Sequence, residues 1–118
     1  MLGDTFVLGL ASGSKTLPKV NSGQDYASEY YLRESLKSYR VRVRHSTTTV
    51  NGVVYNRHNV EVYIVTFATS TTAEFYHKAY FVIELLPSDT FVEAMDALAD
   101  WSIATSNANL VKILGGES

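Results

Sequence analysis

Cysteine is absent from the 118 residues, which excludes disulfides and thiolate metal sites and leaves the redox compartment unmarked. Proline occurs only at Pro18 and Pro87. Pro18 cannot donate to a ladder, so its strand is an edge or an interrupted one; Pro87 ends a sheet. No apolar run approaches the ~20 residues that span a bilayer. The start, Met1-Leu2-Gly3-Asp4, has no basic region ahead of an apolar stretch and does not read as a secretory signal, so synthesis in the cytoplasm is expected. Nucleophile elbow, phosphate-cradling glycine loop and HExxH motif are all missing. No repeat or low-complexity tract is found.

What is present fits one domain. A monomer of this size buries about two-thirds of the surface its unfolded chain exposes, so association between copies would help it. The net charge of −2 taken alone argues against nucleic acid. Its distribution argues otherwise. Arg33, Lys37, Arg40, Arg42, Arg44 and Arg57 stand against the single acid Glu34, whereas Asp89, Glu93, Asp96 and Asp100 have no base among them. A chain so polarised has two different surfaces.

Hydropathy patterning predicts strands over 5–10 and 16–20, joined by turn residues, then a loop at Asn21-Ser22-Gly23-Gln24 and a strand over 27–33. From Ser38, Tyr39, Val41 and Val43 alternate with Arg40, Arg42 and Arg44, giving one apolar and one cationic face. Thr47 to Gly52 carries an Asn-Gly turn signal. Alternation continues over 53–67 and, after the polar loop Ala68-Thr69-Ser70-Thr71-Thr72, over 73–86, so three long strands form an antiparallel meander. Thr90-Phe91-Val92-Glu93 fits a capping box, with Ser88 or Thr90 as cap. In the helix that follows, Asp89, Glu93, Asp96 and Asp100 form one stripe and Phe91, Met95, Leu98 and Trp101 the opposite one. A second, shorter helix is expected within 106–114, stopped by Gly115-Gly116. The apolar sheet face is expected to lie under these helices.

A register centred on each connecting loop places Arg42 beside Arg57, Arg57 beside Glu84, Arg40 beside Asn59, Asn59 beside Val82, Glu61 beside Tyr80 and Tyr63 beside Lys78. The outcome is a flat platform with arginines at one end and Tyr63, Tyr76, Tyr80 and Lys78 towards the other. Cations neutralise phosphates and phenol rings stack on unpaired bases, a recurring way to read looped RNA. Arginine and tyrosine are also ordinary on the solvated side of a sheet, where the ion pairs contribute little. In the same register His45 falls near Val54, His58 near Val41 and Ile83, and His77 near Ile64. Rows two residues apart are ~7 Å apart, too far for joint ligation; hydrogen-bonded, half-buried side chains are expected, with no metal site and no catalytic role. The strand over 73–86 presents a long unprotected edge that invites two-fold pairing with another copy.

The stretches Ser38-Tyr39-Arg40-Val41-Arg42-Val43-Arg44-His45, Tyr55-Asn56-Arg57-His58-Asn59-Val60-Glu61-Val62 and Ala79-Tyr80-Phe81-Val82-Ile83-Glu84-Leu85 resemble the coat proteins of small single-stranded-RNA bacteriophages of the levivirus type. Leu2-Gly3-Asp4-Thr5 and Ser28-Glu29-Tyr30-Tyr31-Leu32 look like the branch with the shortest coats. The resemblance implies an α+β fold: an N-terminal β-hairpin (1–21), a five-stranded antiparallel sheet (26–86) and two C-terminal dimerisation helices (88–114). It further implies an interlocked homodimer with a ten-stranded sheet, many dimers forming a T=3 icosahedral shell, viral single-stranded RNA packaged on the inward face, and residence in the virion. Translational repression through a replicase-start hairpin belongs to the same pattern. RNA-contacting positions carry over to Arg40, Arg42, Arg44, Arg57, Asn59 and Tyr80, the last stacking on a base; Glu61, Tyr63, Lys78 and Val82 complete the assigned surface. Glu61 stands where the family has a base, and Val82 where an amide reads an adenine, which bears on hairpin recognition more than on packaging. The loop Ala68–Thr72 is expected at contacts between dimers. No cofactor, membrane or small-molecule substrate is implied, and a structural divalent cation between subunits stays open. Two other readings stand beside this one: a cellular dimeric RNA-binding regulator that forms no shell, and a small α+β enzyme or ligand carrier with a pocket between helix and sheet.

Overall fold

The computed structural model describes residues 2–22 and 27–117. The chain divides into two compact units, Met1–Glu84 and Leu85–Ser118. Six strands build an antiparallel sheet in chain order: β1 (Thr5–Leu10), β2 (Gly13–Ser22), β3 (Ser28–Arg33), β4 (Lys37–Val50), β5 (Val53–Thr66) and β6 (Phe75–Leu85). That is six strands where five were expected. The difference lies in β2, which pairs with β1 from Gly13 to Pro18 and then with β3 from Lys19 to Ser22 across an irregularity between Lys19 and Asn21. One strand thus serves both the hairpin and the sheet, and Pro18 sits where it changes partner. Asn21 and Ser22, expected in a loop, belong to this strand; Gly23 and Gln24 of that loop lie outside the described residues.

Period-two burial positions the core. In β1, Phe6, Leu8 and Leu10 turn inward while Val7 stays exposed. Leu8 and Leu17 from the hairpin cluster with Tyr30, Tyr39, Val41 and Val43 from the sheet, and Leu17, Tyr30 and Val41 are fully buried. The apolar sheet face expected to lie beneath helices is therefore covered over this cluster by β1 and β2. Tyr30 satisfies its own burial: its hydroxyl donates to the Gly3 carbonyl at 2.9 Å, and its ring lies 5.6 Å from that of Phe6.

The second unit carries one helical element, α1 (Glu93–Leu114), where two helices were expected. Backbone angles leave the helical range from Ala104 to Asn107, and Thr105, Ser106 and Asn107 have positive φ. These four residues form a kink between two helical segments within the element, and Asn109 Nδ2 donates to the Trp101 carbonyl across it at 2.9 Å. The capping box is not made. Val92 occupies the cap position without a side-chain bond, and Asp89 instead accepts the Phe91 N–H at 2.9 Å in a turn ahead of the helix. The stop is as expected: the Gly116 N–H bonds the Ile113 carbonyl and the Glu117 N–H the Lys112 carbonyl, with Gly116 at φ +84°. These are the paired bonds of a glycine-terminated helix. Glu93, Asp96 and Asp100 are exposed, and no residue of α1 is buried.

Candidate nucleic-acid interface

Alternation along β4 sends Tyr39, Val41 and Val43 into the core and leaves Arg40, Arg42 and Arg44 on the other face. β5 and β6 continue that face. A shallow depression of about 560 Å³ is lined by Arg44, Arg57, Asn59, Glu61, Lys78, Tyr80 and Val82 together with Ala27, His45 and Ser46. A second, bordered by Arg40, Arg42 and Tyr63 with Tyr31, Ser38 and Val65, shares Glu61 and Lys78 with the first. All ten positions assigned from sequence thus lie on one continuous surface.

Their register differs from the expected one. Arg42 pairs with Glu61 instead of Arg57, Arg40 with Tyr63 instead of Asn59, and Arg44 with Asn59. The cause is the turn. β4 runs through Thr47, Thr48 and Thr49 to Val50, which faces Val53 directly, leaving only Asn51 and Gly52 between the strands. Both have positive φ, 51° and 78°, the requirement of the two-residue turn that matches strand twist. A loop centred over Thr47–Gly52 misplaces every pair beyond it. The histidines move with the register: His45 faces His58 in one row, with their Nδ1 atoms 2.8 Å apart, where separate rows were expected. Between β5 and β6 the expected neighbours Arg57 and Glu84 approach to 3.9 Å.

The electrostatics are more balanced than a bare cationic strand suggests. Glu29 on β3 bonds Arg40 at 2.5 Å and lies 3.5 Å from Arg42. Lys78 Nζ donates to Glu61 at 3.0 Å, and this bond raises the Lys78 pKa above its ordinary value. Among the described residues no carboxylate lies within salt-bridge distance of Arg44. The Arg57–Glu84 pair is exposed on both sides and contributes about 0–1 kcal/mol, whereas the Glu29 and Glu61 carboxylates are partly buried. The Glu29 carboxylate holds the Arg40 and Arg42 guanidinium groups in place on this face. Aromatic faces accompany them: Arg40 lies over the Tyr31 ring at 4.8 Å, Lys78 lies 5.7 Å from the Tyr80 centroid, and the Tyr63 and Tyr76 rings are 5.1 Å apart. Tyr80 is 64% exposed, so its ring is open to a stacking partner.

Glu29 and Tyr31 were missed as members of this face. The alternation of Glu29 and Tyr31 around the buried Tyr30 is the signal that finds them, and their facing residues on β4 are Arg42 and Arg40. The loop Ala68–Thr72 is exposed and self-bonded. Thr69 Oγ1 accepts the N–H groups of Thr71 and Thr72 at 3.3 and 3.1 Å, and the Thr69 N–H bonds the Thr72 carbonyl at 2.8 Å.

A family model described as the coat protein of phage phiCb5 matches residues 3–86. No curated protein matches the chain. Among solved structures it is similar to the virus-like particle of Beihai levi-like virus 21, at TM-score 0.66 and 16% identity over 93% of this chain and 90% of that one. It is also similar to an unassembled virus coat protein dimer, described as a bacteriophage RNA-binding dimer, at TM-score 0.61 and 13% identity over 97% of this chain and 94% of that one. At these identities the structural likeness establishes the fold.

Proposed function

Because the chain belongs to the phage phiCb5 coat protein family, and is on that ground a structural capsid subunit of an RNA-phage-like virus, we propose that it dimerises, assembles into a T=3 icosahedral shell and packages viral single-stranded RNA on the β4–β6 surface. The observation that carries the RNA assignment is the common face of Arg40, Arg42, Arg44, Arg57, Lys78 and Tyr80. Phosphates compete with the carboxylates of Glu29, Glu61 and Glu84 for these cations, most easily with the exposed Glu84, and an unpaired base stacks on Tyr80. Arg44 is the cation most ready for a phosphate. The similar bacteriophage structure is described as an RNA-binding dimer and the other neighbour as a virus-like particle, which supports both steps.

Dimerisation follows from two features. β6 is the last strand of the sheet, with Phe75, Tyr76 and Tyr80 exposed, and pairing two such edges about a two-fold axis joins two six-stranded sheets into one of twelve strands, where ten were expected, without open-ended growth. The exposed apolar residues of the second unit, Phe91, Leu98, Trp101 and Ile103, then dock on the partner. The self-bonded Ala68–Thr72 loop takes the contacts between dimers. Family membership favours this reading over a cellular regulator on the same sheet. Glu61 and Val82 disfavour the usual replicase-start hairpin, so packaging is placed ahead of translational repression.

Filter binding of the dimer to viral RNA tests the site. Tyr80→Ala should weaken binding by about 1–3 kcal/mol with the dimer intact; unchanged affinity removes the stacking role. Electron microscopy of purified protein should show closed shells, and dimers alone under assembly conditions would favour the regulator.

A further inference from the structure

The two-residue turn at Asn51–Gly52 fixes His45 opposite His58, one step along the strands from the facing pair Val43 and Val60. The imidazoles meet edge to face with centroids 5.0 Å apart, and their Nδ1 atoms are 2.8 Å apart. Val43 is buried, whereas His58 is half-buried and His45 exposed. The pair therefore sits on the solvent rim of the core. One Nδ1 donates and the other accepts, so two ring nitrogens already converge on one spot with at least one lone pair present.

We propose that His45 and His58 form a two-imidazole chelate for a late first-row transition ion, taking copper(II) or nickel(II) in preference to zinc(II). Metal–imidazole bonds are about 2.0–2.1 Å. Across the observed separation of 2.8 Å they subtend an angle of roughly 85–90° at the metal. That is the cis angle of a square-planar or tetragonal ion, the geometry of copper(II) and nickel(II). A tetrahedral zinc ion needs about 109°, which requires the nitrogens to part to roughly 3.3–3.4 Å. Rotation of each ring about its Cβ–Cγ bond aims both lone pairs at the ion. The ion takes the place of the shared proton, so acid competes with it. Among the described residues no third His, Cys, Asp or Glu joins the pair, and water completes the coordination shell. The nearest cations along the strands, Arg44 and Arg57, pair with Asn59 and Ser46 in the adjacent rows, and His45 borders the depression that both of them line. Hard, oxygen-seeking calcium and magnesium have no preference for two imidazoles.

Copper(II), nickel(II) and zinc(II) salts titrated into the full chain in a metal-free, non-coordinating buffer near neutral pH test the site by calorimetry, with imidazole NMR signals as a second readout. One copper(II) per subunit should bind, more tightly than zinc(II). His45→Asn and His58→Asn should each lower copper(II) affinity at least tenfold, the double variant should be no weaker than either single one, and His77→Asn should leave affinity unchanged. Copper(II) should broaden the signals of His45 and His58 together. Wild-type affinity in either single variant, additive losses in the double variant, or broadening confined to other imidazoles would overturn the proposal.

Discussion

The N-terminal and C-terminal units of this chain use the same kind of amino acid to opposite ends. In Met1–Glu84, apolar residues at alternate positions find partners within the chain, so that Leu17, Tyr30 and Val41 are fully buried. In Leu85–Ser118, α1 buries nothing: Leu98 is 53% exposed, Trp101 46% and Ile103 66%. A helix carrying large exposed apolar residues is unstable as an isolated object, because most helical stability in proteins comes from packing one face. The contrast teaches that the first unit holds a finished core while the apolar residues of the second have none of their own; in the proposed dimer another copy of the chain would cover them.

The contrast can be broken most sharply at Trp101. Trp101→Asp should weaken the dimer by roughly 100-fold or more, about 3 kcal/mol, because the carboxylate must be desolvated in an apolar contact. Native mass spectrometry across a dilution series reads this directly, and an unaltered dimer would mean that the exposed face has no partner. Leu17→Ala strikes the finished core and should cost about 2–5 kcal/mol in urea unfolding, measured at fixed protomer concentration since association contributes to stability. A loss confined to dimer affinity would show that the hairpin is not part of that core. Tyr30→Phe removes only the bond to the Gly3 carbonyl and should cost about 1 kcal/mol. The smallest effect is expected at Lys78. Its raised pKa comes chiefly from the hydrogen bond to Glu61. The folded value lies above the unfolded one, so the contribution is full below about pH 10 and is lost as pH rises through the folded value. An NMR titration of Glu61→Gln should return Lys78 towards its ordinary value; no change would place the cause elsewhere.

Much of this was legible in the sequence, and the boundary of legibility is physical. Strand parity depends only on neighbouring residues, so the alternation of Arg40, Arg42 and Arg44 with Tyr39, Val41 and Val43 was enough to assign the face. Register depends on where one turn closes. The run Thr47-Thr48-Thr49-Val50 is β-branched throughout and continues β4 up to Asn51, so Arg42 meets Glu61, four residues beyond Arg57. That one shift brought the histidines together. The hairpin's share in the core was less legible: Phe6, Leu8, Leu10 and Leu17 mark it as amphipathic, but alternation does not say which layer a strand lies against. The capping box failed because Asp89 offers the backbone a competing turn before the helix begins. What Glu29 contributes was invisible until β3 was placed beside β4.

The proposed RNA binding is electrostatic at its centre: phosphates would compete with carboxylates for the cations of one sheet face. The carboxylates of Glu29, Glu61 and Glu84 offset part of the charge of Arg40, Arg42, Arg57 and Lys78, so the net number of counterions released by a dimer is modest. The most direct measurement is the dependence of dimer–RNA affinity on salt. The logarithm of the binding constant should fall against the logarithm of salt concentration with a slope of about −4, whereas a slope near zero would contradict the account.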